Sequence, residues 1–186
     1  MKEQLQRDFD NIIKNLSLSQ KDIEIKRFYL DNFIDRGFPN RREEDWKFSD
    51  LNQIIKKNIG ELSFYSDYTS TNKVDTSVFV DGLEHNKIVF INGRIEKIDF
   101  DYEKKNQIEI IDQSETINKF SNNNSLSDLN NAFTNKSFKI LLKNGYQLQK
   151  PLIIYHTTNS KIWSKNINLR LDFELGKDSS LRLIDL

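Results

Sequence analysis

The sequence predicts an α+β protein, in which a helical N-terminal module precedes a region of short strands. Apolar residues recur at helical spacing through roughly the first 60 residues. The dipeptide Asn92-Gly93 lies between two β-rich runs, and after about residue 136 apolar and polar residues alternate, which is the period of a half-buried strand. These observations divide the chain into a helical module (1–60), a segment with a linker, a β-hairpin and a short helix (61–135), and the start of a β core (136–186).

Two amphipathic helices are predicted within the helical module. The first covers about residues 2 to 15, and the second covers about 20 to 36, with a stripe that contains Ile23, Arg27, Leu30 and Ile34. Gly37 ends the second helix, because a residue without Cβ adopts the left-handed conformation at low cost. Pro39 then prevents the helix from resuming. We expect both apolar stripes to be core rather than partner-binding surfaces.

The corner from Gly37 to Leu51 is the most distinctive stretch of the sequence. Arg42 and Trp46 stand four residues apart, as do Glu43 and Lys47. In a helical turn the first pair would stack guanidinium on indole, and the second would form an ion pair. The corner contains no nucleophile, metal-ligand cluster or phosphate loop, so it is predicted to be structural, with a half-buried Trp46 as its anchor.

A hairpin and a short helix are predicted in the middle of the chain. Asn-Gly is the preferred dipeptide of a type I′ turn, so residues 87 to 98 are expected to form a β-hairpin, followed by a strand over 107 to 111. Ser125 is predicted to cap a helix on which Leu126, Leu129 and Phe133 face one way. The later strands are separated by small polar turns, which fits a sandwich and a β-solenoid equally well.

Composition excludes several classes of function. Lys plus Arg and Asp plus Glu each total 28, so there is no global field to attract nucleic acid or an anionic membrane. The absence of cysteine excludes disulfides and thiolate-ligated clusters within these residues. No apolar run approaches the roughly 18 residues of a membrane span, and the N-terminus does not have the pattern of a signal peptide. The sequence therefore predicts a protein of the cytoplasm, or of an organelle after import, and disfavours nucleic-acid and membrane partners.

The side chains that could carry chemistry give no catalytic pattern. His85 lies in a polar loop after Asp81 and Glu84 and is predicted to be solvated, with weak metal binding as the minor alternative. His156 is predicted to be a hydrogen-bonded histidine at a strand end. The acidic pairs Glu43-Glu44 and Asp99/Asp101 are assigned to the surface. The aromatic and basic run 161–165 is a minor candidate for RNA. We therefore predict a protein that is not an enzyme, with no catalytic, cofactor-binding or metal residues.

The corner resembles the N-terminal signature of the SufB/SufD family, whose members are scaffold subunits of the SUF iron–sulfur cluster assembly system. The SufD pattern is Pro-x-Arg-x-x-Glu-x-Trp-Lys-Tyr-Thr-x-Leu. Phe48 and Ser49 stand where that pattern has Tyr and Thr. SufB usually reads Glu-Pro-x-Trp at this point, so Glu44-Asp45-Trp46 is similar to the SufD branch. The signature residues of the corner are Pro39, Arg41, Arg42, Glu44, Trp46, Lys47 and Leu51.

Two further runs are similar to the family. Its Val-Phe-x-Asn/Asp-Gly-Arg run is matched at Asn92, Gly93 and Arg94, and we include Pro151, which opens a strand, in the signature. The turn 178–180 departs from the family's usual Gly-Glu/Asp-Gly-Ala. The family's Ser-Leu-x-x-Leu-Asn-x-Ala-Phe segment is matched by Ser125, Leu126, Leu129, Asn130, Ala132 and Phe133.

The resemblance implies both a fold and a set of partners. It implies that residues 136–186 form the first, incomplete rungs of a right-handed parallel β-helix. Because family members are considerably longer, we expect the sequence to be the N-terminal part of such a protein. The resemblance also implies partners: SufD pairs with SufB through the β-helices, and each binds the SufC ATPase through its C-terminal region. No cofactor is expected on this segment, and the iron–sulfur cluster would belong to the full complex.

An alternative from another class is a small β-solenoid carbohydrate-active enzyme or binding module. Such an enzyme would use rows of Asp and Glu at strand ends. It requires paired carboxylates about 5 to 10 Å apart in a groove.

Overall fold

A computed structural model describes residues 2–16, 18–58, 62–66, 73–114, 124–159, 162 and 165–186. Its helices are α1 (Lys2–Lys14), α2 (Gln20–Arg36), α3 (Leu51–Asn58) and α4 (Ser125–Phe133), with 3₁₀ turns at Glu44–Trp46 and Thr76–Val78. Its strands are β1 (Asn86–Ile91), β2 (Arg94–Asp99), β3 (Ile108–Asp112), β4 (Lys136–Leu142), β5 (Leu152–Thr157), β6 (Leu169–Leu175) and β7 (Leu183–Asp185).

The chain divides into two compact units that are both discontinuous in sequence. The first, here called the helical unit, comprises the described residues within 1–66, 114–135 and 164–170. The second, here called the sheet unit, comprises those within 67–113, 136–163 and 171–186. Each unit is described by itself.

Helix α2 is capped at both ends by residues suited to those positions. The Ser19 hydroxyl accepts a hydrogen bond from the Asp22 backbone N–H, which satisfies a free donor of the first turn. Gly37 has a φ of 71°, and its N–H donates to the Phe33 carbonyl at 2.7 Å. The prediction that Gly37 ends this helix is confirmed. The buried face of α2 differs from the predicted stripe, because Arg27 is exposed and Lys26 is buried.

The core of the helical unit is rich in aromatic rings. The Phe64 ring stacks on Phe133 with centroids 3.6 Å apart, and Phe9 meets Phe133 edge to face at 6.1 Å. Such ring pairs stabilise a core beyond the area that they bury. Leu51 of α3 packs against this core from its margin. The buried members of the core are Leu5, Phe9, Ile12, Tyr29, Leu30, Phe33, Phe38, Ile55, Leu62, Phe64, Ala132 and Phe133.

The sheet unit contains two sheets. The larger has the strand order β2-β1-β5-β7, in which β1 pairs antiparallel with β2 and parallel with β5, and β5 pairs parallel with β7. The smaller has the order β3-β4-β6, with β3 and β4 antiparallel. Strand β1 is a central strand of the larger sheet and is buried along almost its whole length.

The predicted hairpin is confirmed. Asn92 has a φ of 53° and Gly93 a φ of 79°, so both central residues of the turn between β1 and β2 are left-handed, as a type I′ turn requires. Strand β3 begins and ends one residue later than the sequence predicts.

The chain is α+β, but the prediction of the opening rungs of a right-handed parallel β-helix is wrong. Across the described residues, the strands of 136–186 belong to two separate open sheets, which also contain the antiparallel edge strands β2 and β3. Neither sheet closes or coils into a solenoid. The physical reason is that alternation fixes which face of a strand is buried, whereas it does not specify the pairing partner.

Candidate functional site

The signature corner is held by local hydrogen bonds from side chains to the backbone. The Glu43 carboxylate accepts from the Asn40 N–H at 3.2 Å, and the Asn40 side chain accepts from the Arg42 N–H at 3.0 Å. Residues Glu44–Trp46 then form a 3₁₀ turn, which ends as the Lys47 N–H donates to the Glu44 carbonyl. Hydrogen bonds between residues close in sequence therefore hold the corner in its conformation.

The side-chain pairs expected for a helical corner do not form. Among the described contacts there is neither a stack of Arg42 on Trp46 nor an ion pair between Glu43 and Lys47, because a 3₁₀ turn does not align residues four apart as an α-helix does. The Lys47 ammonium instead lies 5.9 Å from the Phe48 ring centroid.

Burial separates the corner's signature residues into two groups. Pro39 is buried and Trp46 is half-buried, as predicted for an anchor, although Trp46 is not among the fully buried core residues. Arg42, Glu44 and Lys47 are exposed. Phe48 is 91% exposed. The corner thus combines a structural inner side with a charged and aromatic outer side.

The signature residues of α4 lie in and beside the core of the helical unit. Ala132 and Phe133 are buried, and Leu129 packs against the core from its edge. Asn130 donates from Nδ2 to the Leu169 carbonyl at 3.2 Å, and its Oδ1 accepts from the Asn168 Nδ2 at 3.0 Å. The signature asparagine therefore ties α4 to the segment that contains 168 and 169.

The residue that caps α4 differs from the prediction. Asn124, rather than Ser125, is the N-cap, and its Oδ1 accepts from the Leu126 and Ser127 N–H groups. Asn and Ser are comparable caps, so the sequence leaves the choice between adjacent candidates open. Asp128 in the first turn is buried and forms an ion pair with Arg36 at 3.2 Å. Burial raises the pKa of Asp128, because desolvation outweighs the Arg36 hydrogen bond and charge.

A buried lysine lies at the other end of α4, and sequence reasoning missed it. The Lys26 Nζ donates to the carbonyl oxygens of Asn131, Ala132 and Thr134. These groups include carbonyls that the helix end leaves without an internal partner. Burial lowers the pKa of Lys26 to about 8, although the charge of Asp22 opposes this shift. No local pattern distinguishes Lys26 from the solvated lysines around it.

The signature residues of the hairpin and Pro151 have structural partners in the sheet unit. The Asn92 Nδ2 donates to the Asn159 Oδ1 at 3.0 Å, and the Asn159 N–H donates back to the Asn92 Oδ1 at 3.0 Å. Gly93 provides the second left-handed position of the turn. Arg94 lies 3.8 Å from Glu96. The Pro151 carbonyl accepts from the Asn86 N–H at 2.8 Å.

The two histidines have different surroundings. The prediction that His85 is solvated is wrong, because it is 3% exposed and hydrogen-bonds to Tyr155 and the Leu83 carbonyl. His156 is confirmed as a hydrogen-bonded strand-end histidine, since its Nε2 lies 2.9 Å from the Asp185 Oδ1. Its ring also stacks on Phe90, with centroids 5.2 Å apart.

Glu103 is a carboxylate of the sheet unit that accepts hydrogen bonds from both side chains and backbone. It accepts hydrogen bonds from the Tyr146 hydroxyl and the Asn86 Nδ2, both at 2.7 Å. The backbone N–H groups of Gln149 and Lys150 donate to the same carboxylate. Desolvation opposes ionisation, but these hydrogen bonds outweigh it, so the pKa of Glu103 is lowered. The Glu103 carboxylate oxygens therefore accept hydrogen bonds from within the sheet unit rather than from a substrate.

A crevice of about 440 Å³ opens beside Glu103. Both signs of charge occur on its walls, so its electrostatics favour no single ligand class. Asp99, between Ile98 and Phe100 in sequence, is only partly exposed and pairs with Lys87 at 3.5 Å and Lys97 at 3.6 Å, which corrects its assignment to the surface. The crevice is lined by Ile98, Phe100 and Ile108 and by Asp101, Lys104 and Lys105.

The described part of the chain has neither a metal-ligand cluster nor a membrane-spanning helix. No three or more His, Cys, Asp or Glu side chains there converge as a metal site would require. No described helix is both long and apolar enough to cross a membrane. The aromatic and basic run 161–165 lies largely outside the described residues; within it, Lys165 donates to the Ser63 hydroxyl at 2.6 Å.

No protein-family model matches the sequence, and no curated protein matches it.

Proposed function

We propose that this chain is the N-terminal, non-catalytic portion of a SufD-like scaffold subunit of the SUF iron–sulfur cluster assembly complex. The observation that carries this function is the corner motif from Pro39 to Leu51, with its Glu44-Asp45-Trp46. The matches at Asn92–Arg94 and Leu129–Phe133 add to it. The support lies in these linear motifs and not in the fold, because the described sheets do not form the β-helix that the family implies.

A scaffold is also the function that the chemistry of the described residues favours. Glu103 is saturated by donors within the sheet unit, and Asp128 is paired with Arg36. The side-chain amides of Asn130 and Asn92, two of the signature residues, hydrogen-bond to backbone groups and to neighbouring asparagines. Polar groups committed in this way position chain segments and leave little for substrate chemistry.

The residues of this chain do not fit an iron–sulfur cluster as a resident group. Thiolates are the usual ligands of such clusters, and the chain has no cysteine. The described residues also offer no converging set of three His, Asp or Glu side chains. In the proposed function the cluster is cargo of the full complex, and its ligands come from other segments or subunits.

The proposed partners are SufB and SufC, engaged mostly through regions beyond these residues. The proposed location is the cytoplasm, without membrane or nucleic-acid partners. The balance of 28 basic and 28 acidic residues supports this, since it provides no net field for either.

Affinity co-purification tests the proposal. The full-length protein would carry a tag and be co-expressed with SufB and SufC from the same organism, with a tagged unrelated protein of similar size as the control. We expect both subunits to be retained by the tagged protein and absent from the control. Retention of neither subunit would overturn the proposed function.

A further inference from the structure

A short segment of the sheet unit, Lys73–Leu83, covers one apolar face of the larger sheet. We call this segment the strap. Its Val74 and Phe79 pack against a buried cluster on β1 and β5, whereas Val78, Val80 and Leu83 are exposed. The Phe79 ring lies 4.9 Å from that of Tyr155, centroid to centroid. The covered cluster consists of Val89, Ile91, Ile153 and Tyr155.

A chain of three hydrogen bonds fastens the strap to β5. The Val80 N–H donates to the Tyr155 hydroxyl oxygen at 3.0 Å. The Tyr155 hydroxyl lies 2.8 Å from the His85 Nε2, and the His85 Nδ1 lies 2.6 Å from the Leu83 carbonyl oxygen. A carbonyl oxygen only accepts, so Nδ1 carries the proton. In the neutral ring Nε2 then accepts the one hydrogen of Tyr155.

This arrangement satisfies every group only when the imidazole is neutral. A second proton on Nε2 would remove the acceptor of the Tyr155 hydroxyl, whose oxygen already accepts from the Val80 N–H. His85 is 3% exposed and Tyr155 is 2% exposed, so water cannot readily replace the lost partner. A buried donor without an acceptor destabilises the state that contains it.

The charged groups around His85 are paired with one another rather than with its imidazole. Lys87 of β1 places its Nζ 3.4 Å from the His85 carbonyl, and Lys97 of β2 lies over the strap's Phe79 ring. Glu84, the adjacent carboxylate, is paired with Lys150 of the loop before β5 at 2.6 Å. Asp99 of β2 pairs with both Lys87 and Lys97, and the strap's Asp75 and Asp81 are exposed. No carboxylate hydrogen-bonds to His85 among the described residues.

We propose that the strap is a pH-sensitive cover, fastened at neutral pH and released when His85 binds a second proton. The proton comes from solvent and occupies Nε2, which breaks the hydrogen bond from Tyr155. Release uncovers the apolar face formed by β1 and β5. This device is independent of the proposed scaffold function, because it depends only on contacts within the sheet unit.

Hydrogen–deuterium exchange of the full-length protein tests the device, with rates corrected for the intrinsic effect of pH. Exchange would be measured from about pH 7.5 to about pH 5, the range in which histidine ordinarily changes charge. We expect protection of the strap, including the Val80 amide, to fall by up to about tenfold per pH unit, the limit for uptake of one proton. The β5 amides should keep their protection.

The chain offers a matched control, because His156 is its only other histidine. The His156→Gln protein should lose strap protection at acid pH as the wild type does, whereas His85→Gln should show no such dependence on pH. Equal protection of the wild-type strap at both pH values would overturn the device. So would loss of the dependence in His156→Gln, a comparison that remains decisive if His85→Gln does not fold.

Discussion

Lys26 and Thr134 are joined by a hydrogen bond from the buried ammonium to the backbone carbonyl just past the end of α4. The same ammonium also serves the carbonyls of Asn131 and Ala132. A single side chain of α2 thereby supplies hydrogen-bond donors to three carbonyls at the C-terminal end of α4.

Replacing Lys26 by Met keeps most of the apolar stem but removes the donor. Because buried carbonyls lose their partner, we expect the free energy of unfolding at neutral pH to fall by about 2 kcal/mol. Chemical denaturation measures the change. Lys21→Met is the matched control, since Lys21 is an exposed lysine of the same helix and its replacement should change stability by less than about 0.5 kcal/mol. Equal effects of the two substitutions would contradict the assignment.

The stability difference between the wild type and Lys26→Met should depend on pH. The pKa of Lys26 falls from 10.5 to about 8 on folding, so the unfolded chain binds more protons between these values. Stability therefore rises with pH through that window, by at most about 3 kcal/mol. Denaturation of both proteins at several pH values measures it. A difference that stays constant between about pH 8 and 10.5 would show that Lys26 titrates normally.

Phe133 should be among the most sensitive core residues of the helical unit. Its ring is 1% exposed and contacts both Phe64 and Phe9. Phe133→Ala should lower the free energy of unfolding by about 3 to 5 kcal/mol, and Phe133→Leu should cost less because it leaves a smaller cavity. Thermal and denaturant unfolding provide the comparison. Similar stabilities of the Ala variant and the wild type would mean that this ring is not core.

Trp46 and Phe48 provide a graded test of the corner. Truncating a fully buried aromatic ring to Ala lowers the free energy of unfolding by about 3 kcal/mol or more. The Trp46 ring is only half-buried, so we expect Trp46→Ala to lower it by about 1 to 1.5 kcal/mol. Phe48→Ala should remain within about 0.5 kcal/mol of the wild type, since Phe48 is 91% exposed. If Phe48→Ala were the more destabilising of the two, the outward position of this ring would be incorrect.

Glu103 should contribute to stability at neutral pH and lose that contribution in acid. Its pKa is lowered in the folded state, so the stabilisation is present above the ordinary value of 4.5 and disappears as pH falls through the lowered value. The advantage of the wild type over Glu103→Gln should therefore shrink on acidification. The exposed Asp101, replaced by Asn, is the control and should show little of this trend. An advantage that is constant with pH would count against the hydrogen-bonded carboxylate.

The elements that the sequence predicted well are those fixed by local chemistry. Gly37 ends α2 and Asn92-Gly93 forms the turn, because each requires a left-handed backbone at that residue. Pairing of β1 with β5 could not be read in the same way. It joins residues such as Ile88 and Ile154, far apart in sequence, and alternation alone does not select partners.

The polar sites were harder to predict for a similar reason. The acidic residues Asp81 and Glu84 precede His85, which made a solvated loop the natural interpretation. Its hydrogen-bond partner Tyr155 lies 70 residues away. Lys26 stands next to Arg27 and two residues after Glu24, whereas its carbonyl partners lie at and just past the end of α4. Burial by residues that are distant in sequence produces no recognisable pattern in the sequence around the buried group.

Native mass spectrometry is the sharpest test of the proposal that this chain belongs to a SufD-like scaffold subunit. The full-length protein would be purified through its own tag after co-expression with SufB and SufC. We expect an assembly whose mass requires all three subunits. A spectrum that contains only the tagged protein, alone or bound to its own copies, would contradict it.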